Sequence, residues 1–156
     1  MCEYCGCQSV PAIHELTMEH DAVVNLIGEV TRRFRASDTA AAVDACRRIS
    51  LILSSHTAVE ELGLFPAMAG EFPEQVRLLR REHRVIEAVL VECADEVPTD
   101  PGWPDRVVQS LDLLREHILK EQDGVFPATL SVLDNEDWVR IDDIRARVGS
   151  GLSPTS

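Results

Sequence analysis

The feature that most constrains this sequence is a phrase it writes twice. HTAVEELGLFPAM begins at His56 and HILKEQDGVFPAT begins at His117. In register they share His56/His117, Glu60/Glu121, Gly63/Gly124, Phe65/Phe126, Pro66/Pro127 and Ala67/Ala128, each pair 61 positions apart. A repeat of this kind dictates architecture, because each copy is one structural unit that must bury its apolar face against others.

The unit is helical. Four stretches place apolar residues at spacings of three, four and seven, the period of a helix with one buried stripe. The first follows Ser9-Val10-Pro11 and carries Ile13, Leu16, Val23, Ile27, Val30 and Phe34. Asp38 is placed to cap the second, which runs through Cys46, Ile49 and Leu53 to Leu64. Pro73 opens the third, with Val76, Leu79, Ile86, Leu90 and Val97, and Pro104 opens the fourth, with Val107, Leu111, Leu114, Ile118 and Val125. No stretch alternates with period two, so no sheet is expected. Short connections force consecutive helices antiparallel. The expected fold is all-α: an up-down-up-down antiparallel four-helix bundle over residues 11–134. A shorter helix over 135–149, capped by Asn135, would cover its outside. Residues 1–10 form a cysteine-rich segment, and residues 150–156 read as a disordered tail.

Four of the five histidines interrupt the buried stripes, one per helix: His20, His56, His83 and His117. Residues four apart share a helix face, so Glu60 lies beside His56 and Glu121 beside His117. A lone core histidine is most often a hydrogen-bonded structural residue, and a lone His-x3-Glu is most often a surface pair. Four matched imidazoles with two matched carboxylates are another matter. Two unpaired buried carboxylates would cost several kcal/mol each. Metal ions resolve that cost, since imidazole nitrogen and carboxylate oxygen are natural ligands, and two ions bridged by the glutamates fit the inventory. The first and third helices also align, Glu19-His20 with Glu82-His83, so the chain reads as two helix hairpins about a pseudo-twofold axis. Glu87 follows His83 by four residues and is a candidate seventh ligand; the alternative turns it to the flank, paired with Arg84 or Arg80.

On His20, His56-x3-Glu60, His83 with Glu87, and His117-x3-Glu121, the sequence resembles the hemerythrin and hemerythrin-like (HHE cation-binding) family over about residues 12–133. The resemblance implies an oxo- or hydroxo-bridged di-iron pair. One iron would take His83, His117 and residue 87, the other His20 and His56, with Glu60 and Glu121 bridging. It further implies an open position for oxygen, nitric oxide or peroxide. Two departures separate the chain from the family's oxygen carriers. They place a histidine where Glu87 stands, and they use histidine-x4-aspartate on the last helix. An anionic ligand at 87 would favour ferric iron and weigh against reversible carriage. Ferritin-like proteins, the structural rival, use glutamate-x2-histidine pairs, which no seam position here provides. Tyr4, the only tyrosine, lies outside the bundle.

The net charge of −12 repels nucleic-acid phosphates and anionic lipid, so neither is expected as a partner. No apolar run reaches a membrane span, and MCEYCGC lacks the pattern of a signal peptide, so a cytoplasmic protein is expected. Cys2, Cys5 and Cys7 form a tight cluster that could hold zinc or another soft metal with His14 as fourth ligand, form a redox-responsive disulfide, or be a solvated tail. Cys46 and Cys93 read as buried apolar groups. The functional expectations are a redox protein acting on small oxidants, in sensing or in catalase-like peroxide removal, or else a non-catalytic iron- or oxygen-sensing or iron-handling module. No general acid or base beyond the ligands is evident in the core.

Overall fold

The computed structural model describes Gly6 and residues 9–152. Among these residues there are only helices and connections, with no strand. α1 spans Pro11–Arg35, with proline in the first turn, where its missing N–H costs nothing, and Arg32, Arg33 and Arg35 in the last turn against the negative end of the helix dipole. Ser9 does not cap it, as its hydroxyl donates instead to the Gly6 carbonyl at 2.7 Å. α2 covers residues 39–68, and Asp38 caps it by accepting from the Ala41 amide at 3.1 Å. α3 covers 73–93, ending in one 3₁₀ turn, and α4 covers 103–132. α5 is Asn135–Val148. Its cap is Asp134, not Asn135: the Asp134 carboxylate accepts from the Asp137 amide at 2.9 Å, and the Asp137 carboxylate accepts from the Asp134 amide at 3.0 Å. That reciprocal pair places the cap one residue before the expected position.

The repeated phrase has a backbone counterpart. Each copy turns through one π-helical turn, Glu60–Leu64 in α2 and Glu121–Val125 in α4. The Phe65 amide donates to Glu60 and the Phe126 amide to Glu121, five residues back. Proline is the cause. Pro66 and Pro127 have no N–H to give, and in a regular α-helix their rings would strike the carbonyl four residues earlier. A wider turn removes the clash without ending the helix, and π turns of this kind recur at functional sites.

The core is cut in two. One apolar cluster holds Val23, Ile27 and Val30 of α1, Val43, Ile49 and Ile52 of α2, Ile86 and Leu90 of α3, and Trp103, Leu111 and Leu114 of α4. The other holds Ile13 and Leu16 of α1, Val59, Leu64 and Phe65 of α2, Val76 and Leu79 of α3, Phe126 of α4, and Ile141 and Ile144 of α5. His20, His56 and His83 lie between them in sequence on their own helices, and His117 stands at the end of the first cluster's stretch on α4, between Leu114 and Ile118. Cys46 and Cys93 are buried in the first cluster. The Cys93 thiol donates to the Leu90 carbonyl at 3.3 Å, and the neighbouring Cys46 holds it below the usual thiol value while Cys46 itself is raised.

Residues 150–152, the first part of the stretch expected as a disordered tail, lie against α2 and the first cluster; residues 153–156 lie outside the described residues. The Gly151 amide donates to the Ser55 hydroxyl at 3.1 Å, and Leu152 packs on the first cluster. A Cβ on Gly151 would lie 2.3 Å from the Leu51 carbonyl oxygen, so only glycine permits this approach to the α2 backbone.

The two repeat glycines differ in what surrounds them. A Cβ on Gly63 would meet Ile141 at 3.0 Å and Ile144 at 3.1 Å, whereas one on Gly124 would meet nothing within 4 Å. Gly63 is thus the seat of α5. Gly63→Ala should destabilise the fold by roughly 1 kcal/mol or more through overpacking, while Gly124→Ala should not, the reduced freedom of its unfolded chain favouring the folded state. Urea denaturation of both variants checks this; equal effects would contradict the assignment.

Candidate metal centre

The layer between the two apolar clusters is built from the residues the repeat singles out. His20, His56, Glu60, His83, His117 and Glu121 are all buried, both glutamates completely. They form two groups in which one donor atom from each residue lies within 4.8 Å of the others: His20, His56, Glu60 and Glu121, and Glu60, His83, His117 and Glu121. The glutamates belong to both groups. Glu60 Oε1 lies 3.4 Å from His56 Nε2 and 3.2 Å from His83 Nε2. Glu121 Oε1 lies 3.4 Å from His117 Nε2 and 3.0 Å from His20 Nε2. Exchanging α1 with α3 and α2 with α4 maps one set of distances onto the other.

The symmetry extends outward. Ring centroids of His20 and His56 are 4.6 Å apart, as are those of His83 and His117. His20 stacks on Phe126 at 5.4 Å, and His83 stacks on Phe65 at 5.6 Å. The phenylalanine of each repeat is therefore the wall behind a histidine from another helix. Carboxylates hold the outward ring nitrogens: His56 Nδ1 donates to Glu19 at 3.1 Å and His117 Nδ1 donates to Glu82 at 2.9 Å. His20 Nδ1 faces Gln122 at 3.1 Å, and the equivalent His83 Nδ1 lies 3.7 Å from Glu61. In His20, His56 and His117 an engaged Nδ1 leaves Nε2 turned inward, the arrangement that fixes tautomer and aim in ligating histidines; His83 Nδ1 makes no hydrogen bond.

The inner atoms are left without hydrogen bonds. Both carboxylate oxygens of Glu60, both of Glu121 and His20 Nε2 have no partner of hydrogen-bond geometry, although imidazole nitrogens stand within ion-pair distance of them. Buried polar atoms are rarely orphaned in this number, and they converge on one point. A cation bound by these nitrogens and oxygens would satisfy all of them. The residues present fit that role.

Charge on these groups follows from their mutual approach. Burial alone would push the His56 imidazole down, but Glu60, Glu19 and Glu121 outweigh it and raise it from 6.5 to about 10. Burial likewise opposes charge on His117, while Glu121, Glu60 and Glu82 raise it to about 9. Burial works against ionised Glu60, yet His56, Glu121 and His83 hold it well below the usual carboxylate value.

Other sequence expectations fare differently. Glu87 is exposed and joins neither group. The reason is angular. A step of four residues advances about 40° around a helix. On α3 the buried stripe includes Glu82 and Ile86, so His83 stands at its other edge and Glu87 passes beyond it. The flank pairing also fails, because Arg80 and Arg84 both turn to Glu61. Glu87 instead lines the mouth of a cavity of about 10 Å³ bordered by His20, His56, His83 and His117. His14 is exposed on α1. Cys2, Cys5 and Cys7 lie outside the described residues. Sequence reasoning left Glu19, Glu82, Gln122 and Arg145 without a role. The aligned Glu-His dipeptides were the signal for the first two, since each glutamate serves the histidine of the next helix. Lys120, near the site in sequence, reaches Glu82 at 2.5 Å, whereas Arg115 is exposed.

An all-helical bundle with a shared, buried histidine–glutamate layer defines a cation-binding helical domain. Residues 11–129 match the hemerythrin HHE cation binding domain, and the chain belongs to that family. Comparison with curated proteins and with solved structures finds no match.

Two outcomes are expected here. First, Glu87→Ala should leave the bound metal per chain unchanged, whereas His20→Ala should lower it; elemental analysis checks both. Second, His56 and His117 carry values above that of a free imidazole, so with metal stripped they stabilise the fold as cations. That stabilisation is complete below about pH 6.5 and is lost as pH rises through 9 to 10. A cation must displace the same protons, so divalent-metal affinity should rise between pH 7 and 9, with proton release visible as buffer-dependent heat in calorimetry. An affinity flat across that range would contradict the assignment.

Proposed function

We propose that the chain holds two iron ions in this layer and reacts there with small oxidants such as oxygen, peroxide or nitric oxide, in redox sensing or peroxide detoxification. The observation that carries this reading is the pair of fully buried glutamates shared by two groups of imidazoles with their oxygens unpartnered. His20 and His56 would serve one ion, His83 and His117 the other, and Glu60 and Glu121 both. The spacing supports it: His83 Nε2 and His117 Nε2 stand 3.1 Å apart. Two nitrogens at bonds of about 2.0–2.1 Å, set near a right angle on one ion, fall at about that separation. The four rods would run up-down-up-down. In support, each helix meets the two apolar clusters in the opposite order from the helix before it.

Size argues for the ligand class. The cavity beside the histidines, bordered also by Leu53, Thr57, Ile86, Leu114 and Ile118, holds about 10 Å³, room for about one water-sized molecule. It adjoins a groove of about 550 Å³ that shares Leu53, Thr57 and Glu87 and offers a way in. Bound iron supplies redox equivalents and an exchangeable coordination position. The chain orients the imidazoles through Glu19, Gln122 and Glu82, and it keeps bulk water out with Leu53, Ile86, Leu114 and Ile118. Because Glu87 stands outside the group, the argument against reversible oxygen carriage drawn from an anionic ligand lapses, and carriage becomes a question for measurement. No helix among the described residues is long and apolar enough to cross a membrane. We place the protein in the cytoplasm, where its buried thiols would stay reduced.

The test is metal analysis with visible spectroscopy of the iron-loaded protein, before and after hydrogen peroxide. About two irons per chain and a near-ultraviolet to visible band of a bridged ferric pair are expected. Oxygen evolved over many cycles would identify a peroxide-consuming enzyme; a single stoichiometric change would identify a sensor. A folded protein that takes up no transition metal overturns the proposal.

A further inference from the structure

The two halves of the layer match at the carboxylates behind His56 and His117, and beyond those carboxylates the match ends. Behind His117, Glu82 accepts from Lys120, an ammonium on a flexible stem that is 42% exposed. Behind His56, Glu19 is 1% exposed and meets Arg145, itself 13% exposed. Arg145 Nη2 donates to Glu19 Oε1 at 2.6 Å and Nη1 donates to Oε2 at 3.0 Å, a bidentate fork. Its Nε lies 3.0 Å from Glu15 Oε2. The Ser150 hydroxyl donates to Glu19 Oε2 at 3.3 Å. Oε1 thus accepts from His56 and Arg145, and Oε2 from Arg145 and Ser150, which fills the roughly four acceptor sites of a carboxylate.

Arg145 and Ser150 lie beyond residues 11–129, the extent of the family match. They come from α5 and the segment after it. That element was expected to cover the outside of the bundle, yet it delivers a guanidinium into the interior. Gly63 admits its apolar face, and Gly151 lets the following segment lie against α2.

We propose that α5 is a working part of the centre: Arg145 is a positioning residue that, through Glu19, fixes the tautomer and aim of His56, and so makes the His20–His56 half a tighter and electronically distinct metal position from the His83–His117 half. An ionised Glu19 can only accept, so His56 Nδ1 must carry a proton, and when a cation displaces the other ring proton the lone pair it meets is that of Nε2. A planar fork locks that carboxylate in orientation as one ammonium cannot. This inference deepens the paired-metal reading and rests on it.

The experiment compares the wild type with Arg145→Gln, Arg145→Lys and Lys120→Gln, each confirmed folded by circular dichroism. Cobalt(II) is titrated against a chelator, and the ring ¹⁵N–¹H resonances of the metal-free proteins are recorded. Arg145→Gln should weaken one of the two metal positions by about ten- to a hundredfold and leave the other unchanged. Arg145→Lys should recover part of that loss, and Lys120→Gln should change neither position more than about threefold. In the metal-free protein the His56 Nδ1–H signal should move or broaden in Arg145→Gln and be restored toward wild type in Arg145→Lys. Two unaltered metal positions in either arginine variant, or a His56 signal unaffected by both, would overturn the proposal. Should Arg145→Gln fail to fold, Arg145→Lys carries the same two readings alone. A wild type that binds no metal would defeat the paired-metal reading, and the ring resonances would still report whether Arg145 sets His56.

Discussion

Two carboxylates at zero exposure, without a hydrogen bond between them and the rest of the chain, are what this structure is organised around. Water would stabilise them far better than an apolar interior does, and among the described residues no lysine or arginine pairs with them. Only the imidazoles do, and those imidazoles are themselves aimed by a further ring of carboxylates, an amide and two cations. Each layer exists to make the one inside it tolerable. Remove any layer and the next becomes a buried charge with poor company. The apolar clusters above and below set the dielectric that makes the arrangement both strong and demanding.

The backbone accommodates the layer at the same place in both halves. A glutamate that ends an α-helical segment and begins a π turn is followed by a phenylalanine that backs a neighbouring histidine and a proline that forces the wide turn. The repeat thus couples three jobs in seven residues: a donor, the wall behind another donor, and the local geometry that lets both face inward. Its glycines are less alike. One makes room for a fifth helix and the other faces open space, so the two hairpins share chemistry but not neighbours.

How much of this was legible follows from which contacts are local. His56 with Glu60 and His117 with Glu121 are one helical turn apart, and the period of the stripe reveals them directly. His20 and His83 interrupt such stripes and are equally plain. Glu87 misled because equal spacing was taken as equal direction; the stripe of α3 is centred toward Glu82, and only its full set of buried residues says so. Glu19 and Glu82 act across helices, where spacing along one chain segment carries no information. Arg145 was the least accessible, being 126 residues from the carboxylate it grips. The all-helical class was readable from periodicity alone, while the ordered stretch after α5 was not, because a Gly- and Ser-rich segment offers no pattern that distinguishes docking from disorder.

The divided core has a consequence for how the molecule holds together. Each apolar cluster draws on all four long helices, but α5 belongs to one alone, and the polar layer interrupts apolar contact between them. Such a design behaves as two cooperative blocks stitched at a seam of charge. Opening of one block need not propagate to the other unless the stitching is tight. Whatever satisfies the orphaned oxygens at that seam therefore sets whether the chain breathes as one body or as two, and amide protection at opposite ends of the same helix becomes a gauge of site occupancy.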